Sequence, residues 1–189
     1  MNQLVTYIQS VAPRLNPEAL ERIGLAFRPI HKEKGELLLA QGDVCKDLYF
    51  LVEGICRFYS LKDGTEVTNW FSFKNDFITS FSSFFTKSPS YESIEMLTDG
   101  SLYQISYQKL AELQESAIEI ERLINYFSNL YTVQLENRIL FLQTMTAAEK
   151  YQMILKEEPH LIQHIPNKHL ASYLGITRET ISRIRSSIN

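Results

Sequence analysis

Between Pro29 and Tyr107 the chain changes rhythm, and that change limits its fold more than any other feature. Six short runs rich in apolar and β-favouring residues follow one another: Glu36–Ala40, Leu48–Val52, Ile55–Leu61, Glu66–Phe73, Tyr91–Leu97 and Leu102–Ile105. Turn residues separate them: Lys34-Gly35, Gln41-Gly42-Asp43, Glu53-Gly54, Lys62-Asp63-Gly64 and Asp99-Gly100. Runs this short at this spacing predict antiparallel strands in a barrel or sandwich. Lys62-Asp63-Gly64 suits a tight hairpin, because glycine takes the positive φ such turns need. Helical patterns flank the strands. Residues 1–28 read as helix, with Asn16 as a cap and Pro17 opening a second helix. A second helical stretch runs from Tyr107 to about Met145, with a break near Glu115-Ser116. The fold class is therefore α+β: an antiparallel β-roll or jelly roll over residues 1–116, a long helix over 117–145, and a small helical domain over 146–189.

The chain has 189 residues, 44% apolar and 22% charged, the balance of a globular protein that builds a core without metals or disulfides. No apolar run is long enough to span a membrane. Met1 to Arg14 shows no secretory pattern, so a cytoplasmic location is expected. Cys45 and Cys56 stand alone, without the spacing of a zinc or iron–sulfur site; no cofactor is expected. Net charge is −3, unevenly distributed. Residues 1–145 hold 13 basic and 18 acidic side chains, and residues 146–189 hold 6 and 4, so the C-terminal end is positive on an acidic body.

In the long helix Ile120, Leu123, Phe127, Leu130, Gln134, Asn137 and Phe141 recur at steps of three and four. That pattern fits either a helix packed on its own barrel or a two-fold dimer seam in which the polar pair sets register. A second stripe, Ile124, Tyr131, Leu135 and Leu142, argues for burial on two sides and favours the dimer. Thr146-Ala147-Ala148-Glu149 is a capping box that begins a new helix to about Glu157, and Pro159 is expected to end it. Thr146 is the expected domain boundary. His160 and His164, between Pro159 and Pro166, fall in an expected loop.

Asn167 to Ser186 reads as a helix-turn-helix. Asn167 can cap the first helix. Leu170, Leu174, Ile176, Ile181 and Ile184 supply the contacts of two short crossing helices, with Ala171 where they approach. Gly175 stands where the chain must turn with positive φ, and Thr177 can cap the second helix. That second helix would present Arg178, Glu179 and Arg183 with the hydroxyls of Thr180 and Ser182. Arginine can donate twice to guanine, and a carboxylate can accept from cytosine. Lys168 and Arg185 are placed for phosphates.

The run Ile176-Thr177-Arg178-Glu179-Thr180-Ile181-Ser182-Arg183 resembles the recognition helix of the CRP/FNR family of regulators, whose helix-turn-helix places that helix in the major groove of DNA. Lys34-Gly35-Glu36, Gln41-Gly42-Asp43, Leu48 to Gly54 and Lys62-Asp63-Gly64 resemble the glycine-punctuated strands of that family's cyclic-nucleotide-binding β-roll. The resemblance covers nearly the whole chain. It implies a sensor domain (1–116), a dimerisation helix (117–145) and a winged-helix-like DNA-binding domain (146–189) whose wing is short or absent. It also implies a homodimer on a palindromic promoter site in double-stranded DNA, with RNA polymerase as a further partner.

The departures from the family bear on the effector. Members that bind cyclic nucleotides follow an Asp-Phe pair with Gly-Glu-Leu and later an Arg-Ser pair, whose groups hold the ribose and the cyclic phosphate. Here Asp76-Phe77-Ile78 leads into Thr79-Ser80-Phe81, and the Arg-Ser position reads Glu92-Ser93. A carboxylate there repels a phosphate, so cAMP and cGMP are not expected to bind. A cysteine cluster for iron–sulfur sensing is lacking, and His31 is the only histidine of the body. Phe71, Phe73, Phe77, Phe81, Phe84 and Phe85 surround the pocket region. They either fill it or line it for an apolar ligand; the effector stays open. No catalytic motif is seen, and the chain is not read as an enzyme. The alternative to a regulator is a small-molecule-binding module whose helical tail makes protein contacts.

Overall fold

A computed structural model describes residues 2–188 and divides them into two compact units. The first holds the residues up to Ser60 together with Trp70–Ser128; the second holds Leu61–Asn69 and the residues from Asn129 on.

The first unit opens with α1 (Gln3–Val11) and α2 (Pro17–Ala26). Asn2 and Asn16 cap them, accepting from the backbone N–H of Val5 (3.0 Å) and Ala19 (2.7 Å), and Pro17 supplies the preset first turn of α2. Eight strands follow: β1 (Arg28–Lys32), β2 (Leu37–Leu39), β3 (Asp47–Glu53), β4 (Cys56–Lys62), β5 (Thr65–Ser72), β6 (Phe77–Ile78), β7 (Ser93–Met96) and β8 (Gly100–Ser106). They form two four-stranded sheets, ordered β1-β8-β3-β6 and β2-β7-β4-β5. The six expected strands are all present, within the α+β jelly-roll class. Two further strands lack an apolar pattern. β1 carries Pro29 and lies at a sheet edge, where a missing N–H is tolerated. β6 has only two residues, paired with Tyr49 and Phe50 of β3.

A short helix, α3 (Phe81–Thr86), lies between β6 and β7. α4 (Tyr107–Glu115) and α5 (Ile118–Thr144) follow β8, separated at Ser116-Ala117. The core of this unit runs through Phe50, Leu51, Ile78, Phe84, Ile94, Met96, Leu102 and Ile105. Gly100 is required there: a Cβ would collide with the Glu53 carbonyl and the end of Met96.

The second unit holds the rest of α5 and four helices, α6 (Ala147–Glu157), α7 (Pro159–His164), α8 (Asn167–Leu174) and α9 (Arg178–Ile188). Phe141, Tyr151, Ile154, Leu161, Ile165, Leu170, Leu174, Ile181 and Ile184 are its buried apolar side chains. The capping box at Thr146 forms as expected, Glu149 N–H to Thr146 Oγ1 and Thr146 N–H to the Glu149 carboxylate.

The compact units divide inside α5, after Ser128, because the two halves of α5 are buried in different cores. Ile120 and Leu123 belong to the first, and Phe141 to the second. His160 and His164 lie on a helix rather than a loop: Pro159 ends α6 but also opens α7, since a proline needs no N–H partner in a first turn. Asn167 is the first residue of α8, which Pro166 precedes, so it makes no cap.

Candidate nucleic-acid interface

The turn between α8 and α9 is built as the sequence predicts. Gly175 has φ 69°, and its N–H, with that of Ile176, closes the end of α8 onto the carbonyls of Ser172 and Ala171. Thr177 Oγ1 then accepts from the N–H of Thr180 at 3.2 Å, capping α9. Leu170, Ala171, Leu174, Ile181 and Ile184 are buried. Ile176 is half-buried.

With that face inward, α9 leaves Arg178, Glu179, Ser182, Arg183 and Ser186 exposed on the opposite side. The spacing of one, three, one and three residues makes a single stripe. Glu179 is bent back over the start of its own helix. Its own N–H and the Thr177 hydroxyl hold its carboxyl below the ordinary range, and Arg178 adds to this. Helix N–H groups stabilise a negative charge there.

Other expected DNA-contacting residues are placed differently. Thr180 is half-buried, its hydroxyl 3.1 Å from that of Thr177. Arg185 Nε donates to the Tyr151 hydroxyl at 2.8 Å, which ties it to α6 rather than to the exposed stripe. Lys168 at the start of α8 is exposed and lies 3.8 Å from the Glu66 carboxylate.

Glu66 belongs to the hairpin of β4 and β5, which the sequence did not associate with the helix-turn-helix. Asp63 (φ 50°) and Gly64 (φ 74°) make its two-residue turn. Beyond it the Thr68 N–H donates to Ser172 Oγ at 2.8 Å, so the hairpin grips α8 directly. A backbone donor on a strand leaves no side-chain pattern that could have announced this.

The expected dimer residues divide. Ile120 and Leu123 are buried in the first unit's own core, and Phe127 stacks on Tyr7 (6.3 Å between ring centres) and Phe77 (4.8 Å). Leu130, Gln134 and Asn137 are exposed. Ile118, Tyr126, Leu130, Val133, Leu135, Ile139, Leu140 and Leu142 of α5 are exposed, and among them Leu130, Val133 and Leu140 share one line with the polar Asn137. These keep the three-four-three spacing of a seam. A helix of 3.6 residues per turn carries several three-four lines side by side; this one shares Leu130 and Asn137 with the expected line, whose first residues Ile120 and Leu123 are buried in the first unit.

In the first unit the sensor region is knitted by serines. Ser80, Ser83, Ser90 and Ser93 are all buried. Ser90 Oγ lies 2.9 Å from Ser80 Oγ and 2.7 Å from the Glu92 carbonyl. Ser83 Oγ accepts from Cys45 N–H at 2.8 Å and donates to the Ser88 carbonyl at 2.5 Å. Ser93 Oγ accepts from the Gln41 N–H at 2.9 Å, and Gly42 N–H donates to the Ser90 carbonyl. None of these groups is positively charged. The side chain opposite Ser80 is Ser90, whereas the half-buried Glu92 enters the network through its main chain. Phe77 packs on Phe50 and Phe127, Phe81 on Phe85, and Phe84 on Phe85 and Tyr107. Phe71 is buried.

Residues 29–117, the β-sandwich region, match the cyclic nucleotide-binding domain family. The fold is similar to that of CRP/FNR regulators. FixK2 from Bradyrhizobium japonicum is similar with a TM-score of 0.74 at 20% identity, over 86% of this chain and 84% of that one. The c-di-GMP responsive global regulator CLP from Xanthomonas campestris gives 0.71 at 17%, over 92% and 91%. The catabolite activator protein of Thermus thermophilus gives 0.60 at 19%, over 94% and 85%. No curated protein matches the sequence. Among the described residues no helix is long and apolar enough to cross a membrane.

Proposed function

We propose that this chain is a transcriptional regulator that reads double-stranded DNA as a homodimer, in the manner its fold suggests, and that it is not an enzyme. The observation that carries this reading is the α9 stripe. A capped helix behind a glycine turn exposes two arginines, a carboxylate and two hydroxyls on one face, while its apolar face is buried. Donors and acceptors for base edges are thus presented by an element of the right size for a major groove. The uncovered line Leu130, Val133, Asn137 and Leu140 supports two-fold pairing along α5. Pairing would give two recognition helices and a palindromic promoter site, with RNA polymerase as the machinery regulated. A cytoplasmic location goes with this role.

The first unit is read as an orphan sensor domain that does not bind cAMP or cGMP. What supports this is that the buried serine hydroxyls bond to one another and to peptide groups, and that the groups meeting at Ser80, Ser83, Ser90 and Ser93 are neutral. Selection of bound sequences from a random DNA pool tests the function. The wild-type chain should return one motif with two inverted half-sites about one helical turn, ~10 bp, apart. Arg178→Ala and Arg183→Ala should each relax one base pair per half-site and cost about 1–3 kcal/mol. A pool that yields no motif, or an unchanged motif with both variants, contradicts the base-reading roles.

A further inference from the structure

Within the second unit one side chain fastens the long helix to the helix-turn-helix. Arg138, on α5, donates from Nη2 to the carbonyl of Tyr173 on α8. Its guanidinium lies 3.7 Å from the centre of the Tyr173 ring and 5.2 Å from that of Phe141. Phe141 and Tyr173 are themselves buried, and Arg138 Nη1 is buried with no hydrogen-bonding partner. Burial pulls the guanidinium below its ordinary range and pushes the Tyr173 hydroxyl above its own. Burying an arginine with a donor unmet is costly, and an apolar side chain of similar length would fill the space without that cost. What an apolar residue could not supply is direction. The Tyr173 carbonyl is in the last turn of α8, where carbonyls lack intrahelical partners and the helix end is negative, so a cation there is held at one point.

That point matters because of what lies beside it. Asn137, the residue before Arg138, is on the exposed line of α5 with Leu130, Val133 and Leu140. Tyr173, two residues before Gly175, leads through the turn into α9. Consecutive residues of α5 therefore face the proposed dimer partner and the helix-turn-helix. A slip of α8 along α5 by half a turn is about 2.7 Å. Away from a two-fold axis the slip is doubled, and it then exceeds the ~3.4 Å step between bases. The hairpin also holds α8, at the neighbouring Ser172.

We propose that Arg138 is a positioning residue for DNA reading: it registers the helix-turn-helix on α5 and so sets the half-site spacing that the dimer accepts. The inference rests on the regulator reading above. The test uses the full chain, its selected palindrome, the same palindrome with the spacer lengthened by two base pairs, and a single half-site. Wild type should favour the selected spacing over the longer one by at least roughly tenfold. Arg138→Met should reduce that preference to within about threefold, with sedimentation and single half-site affinity unchanged. Arg138→Lys, which keeps the charge and a donor but not the flat stacking group, should fall between them. An Arg138→Met variant that keeps the wild-type spacing preference overturns the inference. So does one that loses single half-site affinity as much as palindrome affinity, which would make Arg138 a support of the domain's fold. A monomeric Arg138→Met would overturn it too, by assigning the residue to the seam. If wild type shows no spacing preference, the regulator reading falls first and the inference with it.

Discussion

Charge on a helix does not of itself locate a DNA contact; what each basic side chain is already bonded to decides its availability. Arg178 and Arg183 are exposed on the outer stripe of α9, whereas Arg185 is committed to the Tyr151 hydroxyl. Lys168 is intermediate: a carboxylate lies 3.8 Å away, but both groups are partly solvated, and such pairs contribute about 0–1 kcal/mol. The two cations should therefore respond differently to truncation. Lys168→Ala should weaken all DNA sequences alike and flatten the salt dependence by roughly one unit. Arg185→Ala should instead lower unfolding stability by about 1 kcal/mol, the worth of one hydrogen bond, and leave the salt slope unchanged. Retention of labelled duplex across a salt series, with parallel denaturant melts, separates the two. A flattened salt slope for Arg185→Ala would return that residue to the phosphates.

At the scale of elements, α5 has two kinds of apolar residue that sequence spacing does not distinguish. Ile120 and Leu123 complete the core of the first unit, while Val133 and Leu140 stay uncovered. Substituting an aspartate should expose the difference. Val133→Asp should fold normally as a monomer and dissociate the dimer, because a charge in an apolar seam costs on the order of 2–5 kcal/mol. Ile120→Asp should unfold the first unit, with oligomeric state changing only as a consequence. Sedimentation combined with thermal melts gives both readings; a Val133→Asp chain that still sediments as a dimer would place the seam elsewhere. The same logic explains the two missed strands. β1 and β6 are held by pairing with β8 and β3 rather than by an alternating pattern of their own.

For the molecule as a whole, the divided core is the main organising feature. The β4–β5 hairpin starts in one compact unit and its tip belongs to the other, where it meets α8 through Thr68 and Ser172. The fold alone invites the expectation of a cyclic nucleotide; the neutral serine network goes with the proposal that none binds. Titration of the full chain with cAMP or cGMP should therefore give no binding heat. A dissociation constant near 1 μM, about −8 kcal/mol, would overturn that expectation. At Ser80 the folded loop presents Ser90, and backbone bonds joining Ser90 to Gly42 and Asp43 set which residue faces inward.

Local chemistry was enough to determine much of this protein from its sequence. Six strands follow from short β-rich runs between turn residues, and the capping box at Thr146 from two side chains three apart. The helix-turn-helix follows from Gly175, Thr177 and five apolar positions in register. Each of these depends on neighbours within a few residues, so the order of the residues carries it. The tertiary structure decided the rest: which line of α5 is left uncovered, that Arg185 is bonded to Tyr151, that the division falls at Ser128, and that Arg138 and the hairpin both hold α8. Those outcomes depend on partners 34 to 104 residues away in the contacts made by Arg185, Arg138 and Thr68, and spacing along a chain does not encode what a distant segment will cover.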